Sequence, residues 1–204
     1  MWTTTVEQKC SYFADRLGTL DSDYAVSVCP FVFVYQRRLS VKKIGIIMGS
    51  DSDLPIVRKA TDMLKSLEIP FEVHVYSAHR TPVEARDFAL CARANGFGAI
   101  LAFAGMAAHL AGALAANTTV PVIGVPGKGG AVDGIDALLS TVQMPTGIPV
   151  ATVALNGGAN AALLAAQILA VSDETLAAKL DAKRKADADA VLAKDAALQA
   201  EFNQ

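Results

Sequence analysis

The chain lacks a charge excess of either sign. Its 18 Lys and Arg and 20 Asp and Glu leave a formal net charge of −2, so it offers no broad cationic surface able to hold nucleic acid by phosphate neutralisation. Any anionic ligand must be gripped locally. Cysteine is scarce: Cys10, Cys29 and Cys91 are odd in number and lack metal-ligand spacing, which suggests neither a disulfide framework nor a zinc site and fits a reducing cytoplasm. Aromatics make up 6% of the residues against 52% hydrophobic overall, so the core must be built largely from Ala, Val, Leu and Ile. Such small side chains let helices pack closely, within a subunit or between subunits. One stretch, 97–116, is long enough to span a bilayer and carries no ionisable side chain but His109. It lies between soluble α/β segments and turns from β-rich to Ala/Leu-rich at Gly105, so strand, glycine turn and helix is the better parse and no membrane span is expected.

From residue 43 onward, short apolar runs alternate with helix-like segments. Strands are expected over 44–48, 71–76, 99–104, 120–125 and 150–155, and helices over 54–67, 82–94, 107–116, 132–142 and 160–170. Alternation of this kind implies right-handed crossovers and a parallel sheet covered on both faces. The expected fold is therefore a flavodoxin-like three-layer αβα sandwich with strand order 2-1-3-4-5. Ser172-Asp173-Glu174 reads as a helix start, and the Ala, Lys, Asp and Leu that follow to Gln199 favour a long charged helix, able to pack on another subunit. The chain divides into an α/β domain over 41–171, a C-terminal helical extension over 172–204, and an atypical extension over 1–40, read as disordered or not native. The uncharged run 25–35 is preceded by Asp21 and Asp23 and followed by Arg37 and Arg38, the reverse of a secretory signal's charge order. A native start near Leu39 or Val41 is expected, which needs a non-standard start codon because no methionine lies between Met1 and Met48.

Three successive expected strands end in unusual loops. Gly49-Ser50-Asp51-Ser52-Asp53 supplies hydroxyls, carboxylates and backbone amides at a helix start, suited to phosphate and sugar. Ser77-Ala78-His79-Arg80-Thr81-Pro82 sets an imidazole beside a guanidinium, with Thr81 and Pro82 as N-cap and first-turn residues of the next helix. Ala104-Gly105-Met106-Ala107-Ala108-His109 brings a second imidazole into a first helical turn. In the order 2-1-3-4-5 these loops are neighbours at the carboxyl edge of the sheet, where open α/β folds bind ligands. His74 falls within a strand and is read as structural. Without a nucleophile elbow, a Walker lysine or a dinucleotide fingerprint, the loops best support acid/base chemistry on a phosphorylated small molecule.

The loop sequences Met48-Gly49-Ser50-Asp51-Ser52-Asp53, Ser77-Ala78-His79-Arg80-Thr81-Pro82 and Ala107-Ala108-His109-Leu110 resemble the N5-carboxyaminoimidazole ribonucleotide mutase (PurE) family of purine biosynthesis. Val142-Gln143-Met144-Pro145, Gly147-Ile148-Pro149-Val150 and Asn160-Ala161-Ala162-Leu163-Leu164-Ala165-Ala166 extend the likeness over residues 43–190. The resemblance implies a cytoplasmic, cofactor-free homo-octamer that moves a carboxylate from N5 to imidazole carbon C4 by decarboxylation and recarboxylation. It implies His79 as the proton carrier at C4, Arg80 and Ser50 at the 5′-phosphate and Asp53 at the ribose hydroxyls. Ser52, Ser77, Gly105, Ala107 and His109 would complete the pocket, with no metal.

Two other readings are an aminoimidazole ribonucleotide carboxylase using free carbon dioxide and a noncatalytic nucleotide- or flavin-binding module. Arg80, where the related carboxylases typically carry lysine, favours the mutase class by the same resemblance. The three loops offer no aromatic platform for a flavin. Two residues depart from the pattern of many relatives: Met106 stands where they have glycine and Ala111 where they have proline. Altered loop mobility, loss of a proline kink and retained activity are expected.

Overall fold

The computed structural model describes residues 42–203; the expected extension over 1–40 lies outside the described residues. Five strands, β1 (Lys43–Met48), β2 (Phe71–Val75), β3 (Phe97–Ala104), β4 (Val122–Pro126) and β5 (Ala151–Thr152), form one parallel sheet in the order β2-β1-β3-β4-β5. Between and after them run α1 (Leu54–Ser66), α2 (Pro82–Cys91), α3 (Leu110–Ala115), α4 (Ile135–Val142), α5 (Gly158–Ala170) and α6 (Glu174–Phe202). This is the doubly wound, flavodoxin-like order the periodicity implies.

Alternation along the central strands builds two cores. Ile44, Ile46, Leu101 and Phe103 face α1 and α5, while Ile47, Ile100 and Ala102 face α2 and α3. Each large side chain taken fully out of water contributes about 1.5–3 kcal/mol. The small residues act as the composition suggests: Ala161, Ala162, Ala165 and Ala166 of α5 are fully buried. A Cβ added to Gly158 would fall 2.3 Å from the Ile56 carbonyl oxygen, so α1 and α5 meet backbone to side-chain-free backbone.

Element ends differ from expectation for local reasons. β5 has two residues rather than six, because it pairs on one side only and after Thr152 the contact with β4 thins to single bonds, from Val153 N–H to Gly124 O (3.1 Å) and from Asn156 N–H to Pro126 O (2.9 Å). α3 begins at Leu110, not 107, since Met106 takes a left-handed φ of 54°. Ala111 then lies in the first turn of α3, where a proline removes no intrahelical bond; its presence does not erase a kink. α4 begins at Ile135 after left-handed Asp133 and Gly134. α6 starts as read, with the Asp173 carboxylate accepting from Leu176 N–H at 3.0 Å. Only Leu176 and Leu180 of α6 are buried, and its exposed face carries the i,i+4 pairs Lys183–Asp187 and Lys185–Asp189. Among the described residues no helix is long and apolar enough to cross a membrane.

His74 belongs to the fold. Its ring stacks on Tyr76 (centroids 5.1 Å apart, planes at 8°) and tilts against Phe88 at 5.4 Å. Burial holds its pKa below the ordinary 6.5, opposed by the nearby Glu72 carboxylate. The unfolded chain therefore takes up a proton that the folded chain resists. Stability from this group is present above about pH 6.5 and is lost as pH falls toward the lower folded value. His74→Phe keeps the stack and is expected to reduce the drop in urea midpoint between about pH 7.5 and pH 5.5; an unchanged drop would contradict this source.

Candidate functional site

At the carboxyl edge of the sheet the chain leaves a cavity of about 650 Å³. Ser50, Ser52, Asp53, Ser77, His79, Arg80, Gly105, Ala107 and His109 all line it. Backbone bonds just beyond the strand ends bring their loops together: Gly49 N–H donates to Phe103 O (3.0 Å), Tyr76 N–H to Met48 O (3.0 Å) and Gly127 N–H to Ala104 O (2.9 Å).

The first loop turns through a single 3₁₀ turn, Asp51–Asp53, into α1. Ser50 Oγ accepts from Ser52 N–H (3.3 Å) and donates to Asp51 Oδ1 (3.1 Å). Asp53 is held above its ordinary pKa of 3.8, first by burial and then by the Asp51 charge, while the backbone N–H groups of Ser50 and Gly49 work in the opposite direction. Its carboxylate is thus partly desolvated and short of cationic company, a state that hydroxyl donors would relieve.

The second loop is bonded mainly to itself. Thr81 Oγ1 accepts from Ser77 N–H (2.8 Å) and donates to Ser77 O (3.2 Å). Thr81 does occupy the N-cap position of α2, with Pro82 behind it, but makes no side-chain cap bond. Ser77 Oγ accepts from the backbone N–H of both His79 (3.3 Å) and Arg80 (3.2 Å). These bonds present the two side chains outward on a fixed frame. Arg80 then reaches across to the first loop, its Nη2 donating to Gly49 O at 3.1 Å, which leaves the rest of the guanidinium fork for an anion.

The third loop brings His109 to the N-cap position of the six-residue α3. His79 Nε2 lies 2.9 Å from His109 Nδ1, with the rings edge to face at 76°. One nitrogen must donate and the other accept, so the contact couples the tautomers of the two rings. A proton can pass along such a contact.

A fourth loop, Gly127 to Gly130, also lines the cavity, and the three-loop reading missed it. It holds Lys128, whose N–H donates to Asn156 Oδ1 (2.8 Å) and whose Nζ pairs with Asp133 (3.1 Å). The signal was present as Gly-Lys-Gly-Gly directly after an apolar run, with Gly129 and Gly130 at φ of 151° and 72°. Met106, at the rim of the third loop, is 67% exposed and left-handed. A non-glycine residue there costs about 1–2 kcal/mol, and glycine would avoid that strain.

Comparison with known proteins identifies the family. The AIR carboxylase family matches residues 43–190. The N5-carboxyaminoimidazole ribonucleotide mutase of Pyrococcus abyssi is 51% identical over 148 residues, covering 72% of this chain and 85% of that protein. The mutase of Mycobacterium leprae is 52% identical over 157 residues, covering 77% and 92%. The phosphoribosylaminoimidazole carboxylase of Saccharomyces cerevisiae is 53% identical over 138 residues, which are 68% of this chain but only 24% of that longer protein. Among solved structures, Treponema denticola PurE superposes with a TM-score of 0.71 at 27% identity, over 76% of this chain and 98% of the other. With the matched span enclosing all four loops, the chain belongs to the AIR carboxylase family.

Proposed function

We propose that this protein is a purine-biosynthetic mutase that converts N5-carboxyaminoimidazole ribonucleotide to 4-carboxy-5-aminoimidazole ribonucleotide, acting without a cofactor as a cytoplasmic homo-octamer. The observation that carries the chemistry is the 2.9 Å contact between His79 and His109 beside a hydroxyl- and amide-rich cradle. Mutases named for this reaction share about half of the sequence, 51% and 52% over the spans compared.

In this reading Arg80 and Ser50 take the 5′-phosphate, a fork-shaped cation and a short hydroxyl being suited to a tetrahedral anion. Asp53 accepts from the ribose hydroxyls. The bond from N5 to the carboxylate carbon breaks, its electron pair stays on N5, and carbon dioxide is released into the cavity. C4 attacks that carbon dioxide and gives up its proton to His79, while N5 gains one. The net change is one proton and one carboxyl group exchanged between N5 and C4, so no outside reagent is consumed. An imidazole suits this task because its charge changes near neutral pH. Gly105 and Ala107 leave room for the flat ring, and a closed pocket keeps carbon dioxide from diffusing away.

Three measurements check the reading. Turnover of the N5-carboxylated nucleotide should far exceed turnover of aminoimidazole ribonucleotide with bicarbonate; the opposite ranking makes the protein a carboxylase. Asp53→Asn should weaken nucleotide binding by roughly tenfold or more yet stabilise the unliganded protein at neutral pH. The sign follows from the raised pKa: the ionised carboxylate costs more folded than unfolded, so stability is complete below 3.8 and is lost as pH rises through the folded value. Urea midpoints should show the variant's advantage at neutral pH shrinking as pH approaches 3.8; an advantage independent of pH contradicts the account.

A further inference from the structure

Among the described residues, Arg80 and Lys128 are the two Lys or Arg residues that line the cavity. Arg80 follows β2 and Lys128 follows β4, and in the order β2-β1-β3-β4 those strand ends are three spacings apart. At about 4.8 Å per spacing, the two strand ends are separated by roughly 14 Å along the sheet edge. The bonded imidazoles come from the loops after β2 and β3, strands within the span from β2 to β4. The substrate of the proposed reaction also has two anions, a phosphate at one end and a carboxylate on the heterocycle at the other. With the phosphate on Arg80, the ring lies over the imidazoles and its carboxylate points toward the far flank.

Lys128 is prepared to receive it. Its backbone is pinned to the cavity wall, through the bond to Asn156 and the neighbouring bond from Gly127 N–H to Ala104 O. Its side chain is held only by Asp133, at 3.1 Å, with the two side chains 55% and 72% exposed. Exposed pairs of this kind are weak and readily exchanged. A carboxylate in the cavity, less hydrated than Asp133, can take the ammonium from it. Release of neutral carbon dioxide would return Lys128 to Asp133.

Resting on the proposed mutase reading, we infer that Lys128 binds the migrating carboxylate and so makes the site prefer carboxylated nucleotides over the bare aminoimidazole ribonucleotide. It is a specificity-determining residue of the reaction. The test uses the full chain carrying Lys128→Gln, which removes the charge from an exposed side chain, and Lys128→Arg, which keeps it. Lys128→Gln should raise KM for the N5-carboxylated nucleotide by roughly tenfold while leaving Ki for aminoimidazole ribonucleotide as a competitor within about twofold. Lys128→Arg should restore most of the lost affinity. An unchanged KM overturns the inference. A parallel rise in KM and Ki overturns it too, because the lysine would then serve the shared ribose phosphate. If the wild-type protein does not turn the nucleotide over, the mutase reading fails by itself; equilibrium binding of 4-carboxy-5-aminoimidazole ribonucleotide and aminoimidazole ribonucleotide to the same proteins then decides the role of Lys128 separately.

Discussion

The hydrogen bonds that carry the parallel ladder one residue beyond its strands hold the site in shape. Gly49 N–H to Phe103 O, Tyr76 N–H to Met48 O and Gly127 N–H to Ala104 O tie the exits of four strands to one another. Beneath them the central strands are locked by two cores, so a one-residue slip would drive buried Ile44, Ile46 and Phe103 to the wrong face. The loops therefore begin from fixed points. Sheet order sets where the loops carrying His79, Arg80, His109 and Lys128 begin, and side-chain bonds within the loops finish the positioning.

Within that frame the polar groups divide between construction and chemistry. Ser77 and Thr81 use their hydroxyls on the second loop's own backbone. Their neighbours His79 and Arg80 are left to face the cavity, one against His109 and the other against Gly49 O. Asp53 stays partly desolvated. A carboxylate partly desolvated and without a cationic partner in the free protein is ready for further donors on a ligand, an instance of local instability located where binding occurs. The left-handed Met106 is a second unfavourable feature at the same rim.

Much of this was legible in the sequence because two periodicities carry it: alternation gave the five strands and the 3.6-residue repeat gave the helices, and the strand order then gathered the loops. What periodicity cannot register was lost. The brevity of β5 depends on its having one neighbour, a tertiary fact. The late starts of α3 and α4 depend on left-handed residues; Met106 does not announce such a conformation, whereas the turn dipeptide Asp133-Gly134 does. The fourth loop was overlooked because Gly-Lys-Gly-Gly reads as a flexible connector when no histidine or hydroxyl marks it. Only its place beside the third loop gives Lys128 a meaning. Thr81 was legible as an N-cap position, but which backbone groups its hydroxyl would choose was not.

The account's central claim is that His79 moves the proton at C4 of the imidazole. Proton NMR of aminoimidazole ribonucleotide in heavy water measures that step without carbon dioxide, product release or any other part of the cycle. The wild-type protein is expected to accelerate loss of the C4–H signal, and His79→Asn to return it to the uncatalysed rate while still binding the nucleotide. Equal acceleration by both proteins would contradict the claim.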